Sequence, residues 1–282
     1  MASNRYHIRP MTRRELDSAI SWAAAEGWNP GLYDADCFYS ADPSGLLMGF
    51  LDDEPVASIT AVKYGQSFGF IGFYIVKPAM RGQGYGLALW QVALAYLQGR
   101  NIGLDGVVAQ QANYIKSGFK LAHRNIRYEG TSTGTLAKTD CMPLSSVAVE
   151  TVAAYDQQFF PEDRAGFIQC WIAQPESHAV GVVQDQTLVG YGVVRPCQSG
   201  YKIGPLFADT TAIAEQIFQT LVTQVPPGEP FYLDVPAPNP HAVAMAEQYG
   251  MQPVFETARM YTQKDPELPL GRIFGITTFE LG

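Results

Sequence analysis

Along the chain, short apolar runs alternate with segments in which apolar residues recur every three or four positions, the pattern of a mixed α/β fold. Residues 6–9 read as a first strand. Thr12, three residues before Glu15, has capping-box spacing, and Leu16, Ile20 and Trp22 then supply an amphipathic helix that stops at Gly27. Runs at 45–52 and 55–64 predict a hairpin around Asp52-Asp53-Glu54, and the aromatic and β-branched run 68–76 predicts a further strand. A helix is expected over about 84–98, with Leu87, Leu89, Trp90, Ala93, Leu94 and Leu97 on its apolar face. Runs at 102–108 and 119–128 complete the sheet.

The small, polar stretch 129–135 is the best linker candidate, and beyond it the plan repeats. Helical segments over 145–174 precede apolar runs at 179–183, 188–194 and 201–207, then a helix at 211–225, a strand at 231–235, a helix at 241–248 and a strand at 254–261. Leu233-Asp234 sits where Leu104-Asp105 sits, and Tyr249-Gly250-Met251 where Ser117-Gly118-Phe119 sits. The chain is therefore read as a diverged internal duplication of one α/β unit, with domains at 1–130 and 142–282 joined over 131–141. An apolar tail at 273–281 is expected to add a strand or pack across the domains.

The 282 residues, 47% hydrophobic and 16% charged, are enough for two modest cores. A net charge of -8 leaves no basic stripe for a phosphate backbone, so nucleic acid is excluded as a partner and cationic partners such as amines are favoured. Cys37, Cys141, Cys170 and Cys197 have no paired spacing, and they read as reduced, mostly buried thiols. His7, His123, His178 and His241 form no ligand pattern, so no metal is expected. Neither a signal-peptide core nor a membrane-length apolar run is visible, which makes the cytoplasm the expected location and a membrane an unexpected partner.

The chemistry centres on Arg81-Gly82-Gln83-Gly84-Tyr85-Gly86, between a strand and a helix. Amides at a helix start point outward without partners, and with the helix dipole they bind phosphate. Glycines at 82, 84 and 86 allow close backbone approach. A dinucleotide fingerprint needs glycine where Leu87 or Leu89 stands, and a P-loop needs Gly-Lys-Ser/Thr, which is absent. Arg81-x-x-Gly84-x-Gly86 behind an apolar strand ending at Val76 and Pro78 resembles the acetyl-coenzyme A signature of the GNAT superfamily. That resemblance implies two tandem GNAT-like units, acetyl-CoA as cosubstrate, backbone contacts from Tyr74, Ile75 and Val76 to the pantetheine, and pyrophosphate binding by the loop from Arg81 and Gly82 to Leu87. Tyr114-Ile115-Lys116-Ser117-Gly118-Phe119 is similar to the family's second motif, which implies Tyr114 as the acid that protonates the leaving thiolate. Where family members often carry asparagine this chain has Val107, with Gln110, Gln111 and Asn113 as candidate substitutes.

The implied reaction is direct attack of a primary amine on the thioester, with a small amine or amino-acid-like acceptor; a non-catalytic coenzyme A-binding module and a protein N-acetyltransferase are the alternatives. Asp105 is a candidate base, or a turn-forming Asp-Gly. Trp28 with its loop to Gly31, Asp34, Asp36, Phe73 and Tyr74 are expected to build the acceptor site. The second half lacks the glycines, with Ala208-Asp209-Thr210-Thr211 at the loop and Ala246 at the tyrosine position. It reads as a copy stripped of catalysis that supports the fold or walls the acceptor pocket. The oligomeric state is not determined by the sequence.

Overall fold

The computed structural model describes residues 6–134 and 140–282. The first half forms β1 (Tyr6–Pro10), α1 (Arg13–Ala25), α2 (Asp34–Ala41), β2 (Leu46–Leu51), β3 (Glu54–Tyr64), β4 (Phe68–Val76), α3 (Tyr85–Tyr96), β5 (Asn101–Val107), α4 (Gln111–Lys116) and β6 (Lys120–Thr131). The second half repeats that order as β7 (Met142–Pro143), α5 (Val149–Asp156), α6 (Ala165–Trp171), β8 (His178–Gln184), β9 (Thr187–Pro196), β10 (Tyr201–Ala208), α7 (Thr211–Val222), β11 (Pro230–Pro236), α8 (Pro240–Gln248) and β12 (Gln252–Tyr261). A short β13 (Ile273–Gly275) is added. The capping box of α1 is formed: Glu15 N donates to Thr12 Oγ1 at 3.3 Å, and Thr12 N donates to Glu15 Oε2 at 2.8 Å. Helix α2 was not legible in the sequence. At eight residues, with no side-chain cap, it is too short to show a period and is held by tertiary contacts.

The described strands share one mixed sheet in the order β1-β2-β3-β4-β5-β12-β6-β11-β10-β9-β8-β7, with β13 beside β10. The two halves therefore close each other's sheets: β12 pairs with β5, and β6 pairs with β11. In each crossing an arginine lies directly opposite an aspartate, Arg259 against Asp105 and Arg127 against Asp234. Both pairs are bidentate and nearly solvent-free, at 2.6–2.9 Å. The expected division near 130 follows the chain, while the hydrogen bonding runs across it. Thr131 is still paired with Pro230, and residues 135–139 of the expected linker lie outside the described residues.

Apolar packing also crosses the halves. One buried cluster joins Leu16, Phe38 and Phe73 to Trp171, Tyr191, Phe207 and Phe279. Two of the four cysteines depart from the expected thiol state. Cys37 of α2 and Cys170 of α6 form a disulfide, with Cα atoms 5.3 Å apart. Their separation of 133 residues hid the pairing, because only the docking of equivalent helices from the two repeats brings them together.

His123 of β6 faces Arg259 across the β6–β12 pair, and burial, reinforced by that cation, lowers its pKa from 6.5 to about 3. Unfolded chains bind a proton at this site as pH falls below 6.5, whereas the native ring does not. Its contribution is thus complete above pH 6.5 and is lost on acidification toward 3. Thermal unfolding followed by circular dichroism is expected to show a Tm that falls less steeply through this window in His123→Gln than in the wild type.

Candidate active site

Strand β4 runs parallel to β5 only from Phe68–Asn101 to Ile71–Leu104. Opposite Ser58 to Thr60 it carries an extra residue, and Phe73 takes a left-handed φ of 42° with its carbonyl accepting from Ser58 Oγ at 3.0 Å. The bulge turns β4 away from β5, so the β5-facing edge of Tyr74, Ile75 and Val76 is left without a strand partner. A cleft of about 740 Å³ opens there and continues to the turn that follows β4.

That turn has the features of an anion cradle. Gly82 and Gly84 have φ of 76° and 88°, and open space lies where a Cβ would stand on either. Gly84 caps α3 without a side-chain acceptor, and among the described residues the amides of 82–87 have no backbone acceptor; the first helical donor is Ala88, to Gly84 O at 3.1 Å. Gly86 is closely covered by Val76 and the Tyr74 hydroxyl, so a side chain there would close the cleft. The Arg81 side chain turns back to Val76 O at 2.9 Å and to Glu26, Gln83 bonds Ala79 O, and Tyr85 O accepts from Tyr6. Leu87 is exposed at the rim.

Tyr114, on α4, packs its ring against Gly106 of β5, where any Cβ would strike it, and packs on Trp90 with centroids 5.6 Å apart. Burial, with a smaller contribution from Tyr74, pushes its phenol up to about 12, so it holds its proton at neutral pH. Of the three substitutes for the missing asparagine, Gln110 and Asn113 line the cleft and bond each other at 2.7 Å. Gln111 instead accepts from Arg124, and Val107 ends β5 at the cleft wall.

Trp28 and Phe73 line the same cleft, together with Phe255, Thr257, Phe279 and Glu280 from the second half. The Trp28 loop is fastened to that half by Lys202, which donates to Asn29 O at 2.8 Å, and by hydrogen bonds exchanged between Asn29 and Ser199, while Arg127 of β6 in the first half donates to Trp28 O at 2.9 Å. Asp34 and Asp36, expected here, lie elsewhere. Asp34 is buried against Arg195 and caps Gly31 N, and Asp36 pairs with Arg13 on the surface. Asp105 reaches the cleft wall with its carboxylate clamped by Arg259 and Asn125, which is the geometry of a structural pair and departs from the free carboxylate a base needs. Burial pushes that carboxyl above its ordinary range, while Arg259 pulls it back. Glu280 was missed in the sequence. Its signal was a lone acid inside the apolar run 273–281, since a buried charge needs a reason.

The second half keeps the splay and fills it. β10 parallels β11 only from Tyr201–Phe231 to Ile203–Leu233, and β13 then enters the gap, pairing with β10 at Leu206 and Phe207 while Ile276 N donates to Asp234 O at 2.9 Å. The start of α7 is closed by its own residues: Thr210 Oγ1 accepts from Ile213 N, and Asp209 binds Tyr155 and Arg272. Asn239 likewise caps α8. Beyond β13 the segment crosses to the first half, where Leu281 O accepts from Tyr64 at 3.0 Å.

Comparison with known proteins agrees with this duplication. Residues 13–119 match the family model described as the acetyltransferase (GNAT) family, and residues 152–275 match one described as an acetyltransferase (GNAT) domain. The chain is 30% identical to a protein named holothin acyltransferase from Pseudoalteromonas sp. (strain SANK 73390), over 97% of this chain and 94% of that one. Among solved structures, a proposed acetyltransferase from Pyrococcus horikoshii superposes with a TM-score of 0.84 at 22% identity, covering 100% of this chain and 98% of the other. A tandem GNAT protein from the clavulanic acid biosynthesis pathway superposes at 0.63 and 13% identity, covering 93% and 100%.

Proposed function

The chain belongs to the GNAT acetyltransferase family and is an acyltransferase with two such domains in tandem, and from that premise we propose that it transfers the acetyl group of acetyl-coenzyme A to a primary amine. The observation that carries the reading is the run of unbonded amides at 82–87, opening on the same cleft as the protonated Tyr114. Those amides and the α3 dipole take the pyrophosphate. The free edge of Tyr74, Ile75 and Val76 aligns the pantetheine, and the Tyr114 hydroxyl donates its proton to the departing sulfur. Asp105 acts through Arg259 to fix β12 beside β5.

The acceptor is a small molecule in this reading, because Trp28, Phe255 and Phe279 give the cleft the aromatic lining of a small-molecule pocket. The named relative, a holothin acyltransferase, makes holothin one acceptor to include beside simple amines, and longer acyl donors worth comparing with acetyl.

Release of coenzyme A, followed with a thiol reagent over a panel of amines, tests the proposal. Gly84→Asp places a carboxylate where phosphate charge is proposed to sit, at a left-handed φ of 88° that strains any side chain and that aspartate bears better than most. It is expected to raise the KM for acetyl-coenzyme A roughly 30-fold, about 2 kcal/mol, with folding intact. An unchanged KM would remove the loop from the cofactor site.

A further inference from the structure

We propose that Glu280, delivered by the second half, is the general base that takes the proton lost by the acceptor amine; this deepens the acetyl-transfer reading above and rests on it. Among the described residues three acidic ones line the cleft, Glu26, Asp105 and Glu280. Glu26 is paired with Arg81, and Asp105 is clamped by Arg259 and Asn125. Glu280 is only 4% exposed and its Oε2 accepts from Thr278 Oγ1, while among the described residues no hydrogen bond reaches its Oε1. A buried glutamate at an aromatic-lined cleft, with one carboxyl oxygen uncommitted, is placed to accept a proton from a bound ligand.

The backbone position of this residue is fixed as closely as that of a core strand. The Glu280 carbonyl packs so tightly against Gly72 that a Cβ there would collide with it, and the two residues that follow are held as well, Leu281 O by Tyr64 at 3.0 Å and Gly282 O by Arg164 at 2.9 Å. Gly72 is the position from which β4 bulges away from β5, and Tyr114 covers Gly106 on the β5 side. The acid and the base thus flank the splay, one from each half of the chain. In the step itself the amine nitrogen bonds the thioester carbonyl carbon and the carbon–sulfur bond breaks. The N–H proton passes to Glu280 and the Tyr114 proton passes to sulfur, after which solvent returns a proton from the glutamic acid to the phenolate.

A competing role for Glu280 is that of counter-ion. Arg127 and Arg195 have aspartate partners, whereas the Lys202 ammonium, within electrostatic reach of Glu280, is held by the Asn29 carbonyl. The two roles separate in one set of measurements on the full chain. Glu280→Gln is expected to lower kcat with the amine about 100-fold, at the lower end for a general base because water can take part of the load, while acetyl-coenzyme A affinity by calorimetry stays within about twofold. In Glu280→Ala, added formate is expected to restore several-fold of the lost rate. A folded Glu280→Gln with wild-type kcat, or Glu280→Ala that is destabilised and indifferent to formate, overturns the proposal while the acetyl-transfer reading stands. Wild-type protein that releases no coenzyme A with any amine overturns both.

Discussion

Tyr114→Phe is expected to lower kcat about 1,000-fold, roughly 4 kcal/mol of barrier, while acetyl-coenzyme A binds within about twofold of the wild type. The change removes one oxygen and leaves the ring over Gly106 and against Trp90 and Phe119, so packing gives no reason for a loss of cofactor affinity. The size of the effect reflects the leaving group. A thiolate expelled into a half-buried aromatic cleft has little water to protonate it, and Tyr114 is the phenol brought there by α4. Because burial and Tyr74 push that phenol up to about 12, the acid is present throughout the neutral and moderately alkaline range. A falling alkaline limb of kcat below about pH 10 therefore belongs to another group. Steady-state rates across pH, with affinity measured separately, decide the matter: equal kcat in the two proteins would reduce Tyr114 to a packing residue.

Arg127→Met should destabilise the fold by about 3–5 kcal/mol, a large share of the 5–15 kcal/mol typical of folded proteins. The side chains of Arg127 and Asp234 are 4% and 2% exposed, so removing the guanidinium strands a carboxylate in a place water does not reach. For a chain of this size that corresponds to a Tm lower by roughly 10 °C. Removing both charges, as Arg127→Met with Asp234→Leu, is expected to recover most of the loss, since replacing a whole buried pair with apolar groups is often near neutral. The acceptor KM is expected to stay raised in the double variant, because Trp28 O has still lost its donor. A single variant no less stable than the double would show that the pair contributes little at this crossing.

Much of the architecture follows from local pattern. The strand at Phe68–Val76, the glycine turn after it, the helix at Tyr85–Tyr96 and their echo in the second half are legible because burial on a sheet imposes its own periodicity, and because a backbone phosphate cradle needs glycine at particular spacings. Tyr114 is reached only through the resemblance of Tyr114-x-x-x-Gly118-Phe119 to the family's second motif, and the fold brings it to the cleft. Asp105 shows where such reading stops. Asp-Gly in a strand names a turn or a base equally well, and only the arrival of Arg259, 154 residues away, turns it into half of an ion pair.

What the sequence determined by itself, then, was the duplicated α/β plan and one glycine turn in its first copy, because each depends on patterns among residues close together in the chain. Tertiary structure decided how the copies join: strands β6 and β12 cross between halves, Cys37 meets Cys170, β13 fills the second splay, and Glu280 reaches the first cleft. Each of those is a contact between residues more than sixty positions apart, selected by the burial of shared apolar surface and the pairing of buried charge, and neither leaves a periodic trace along the chain.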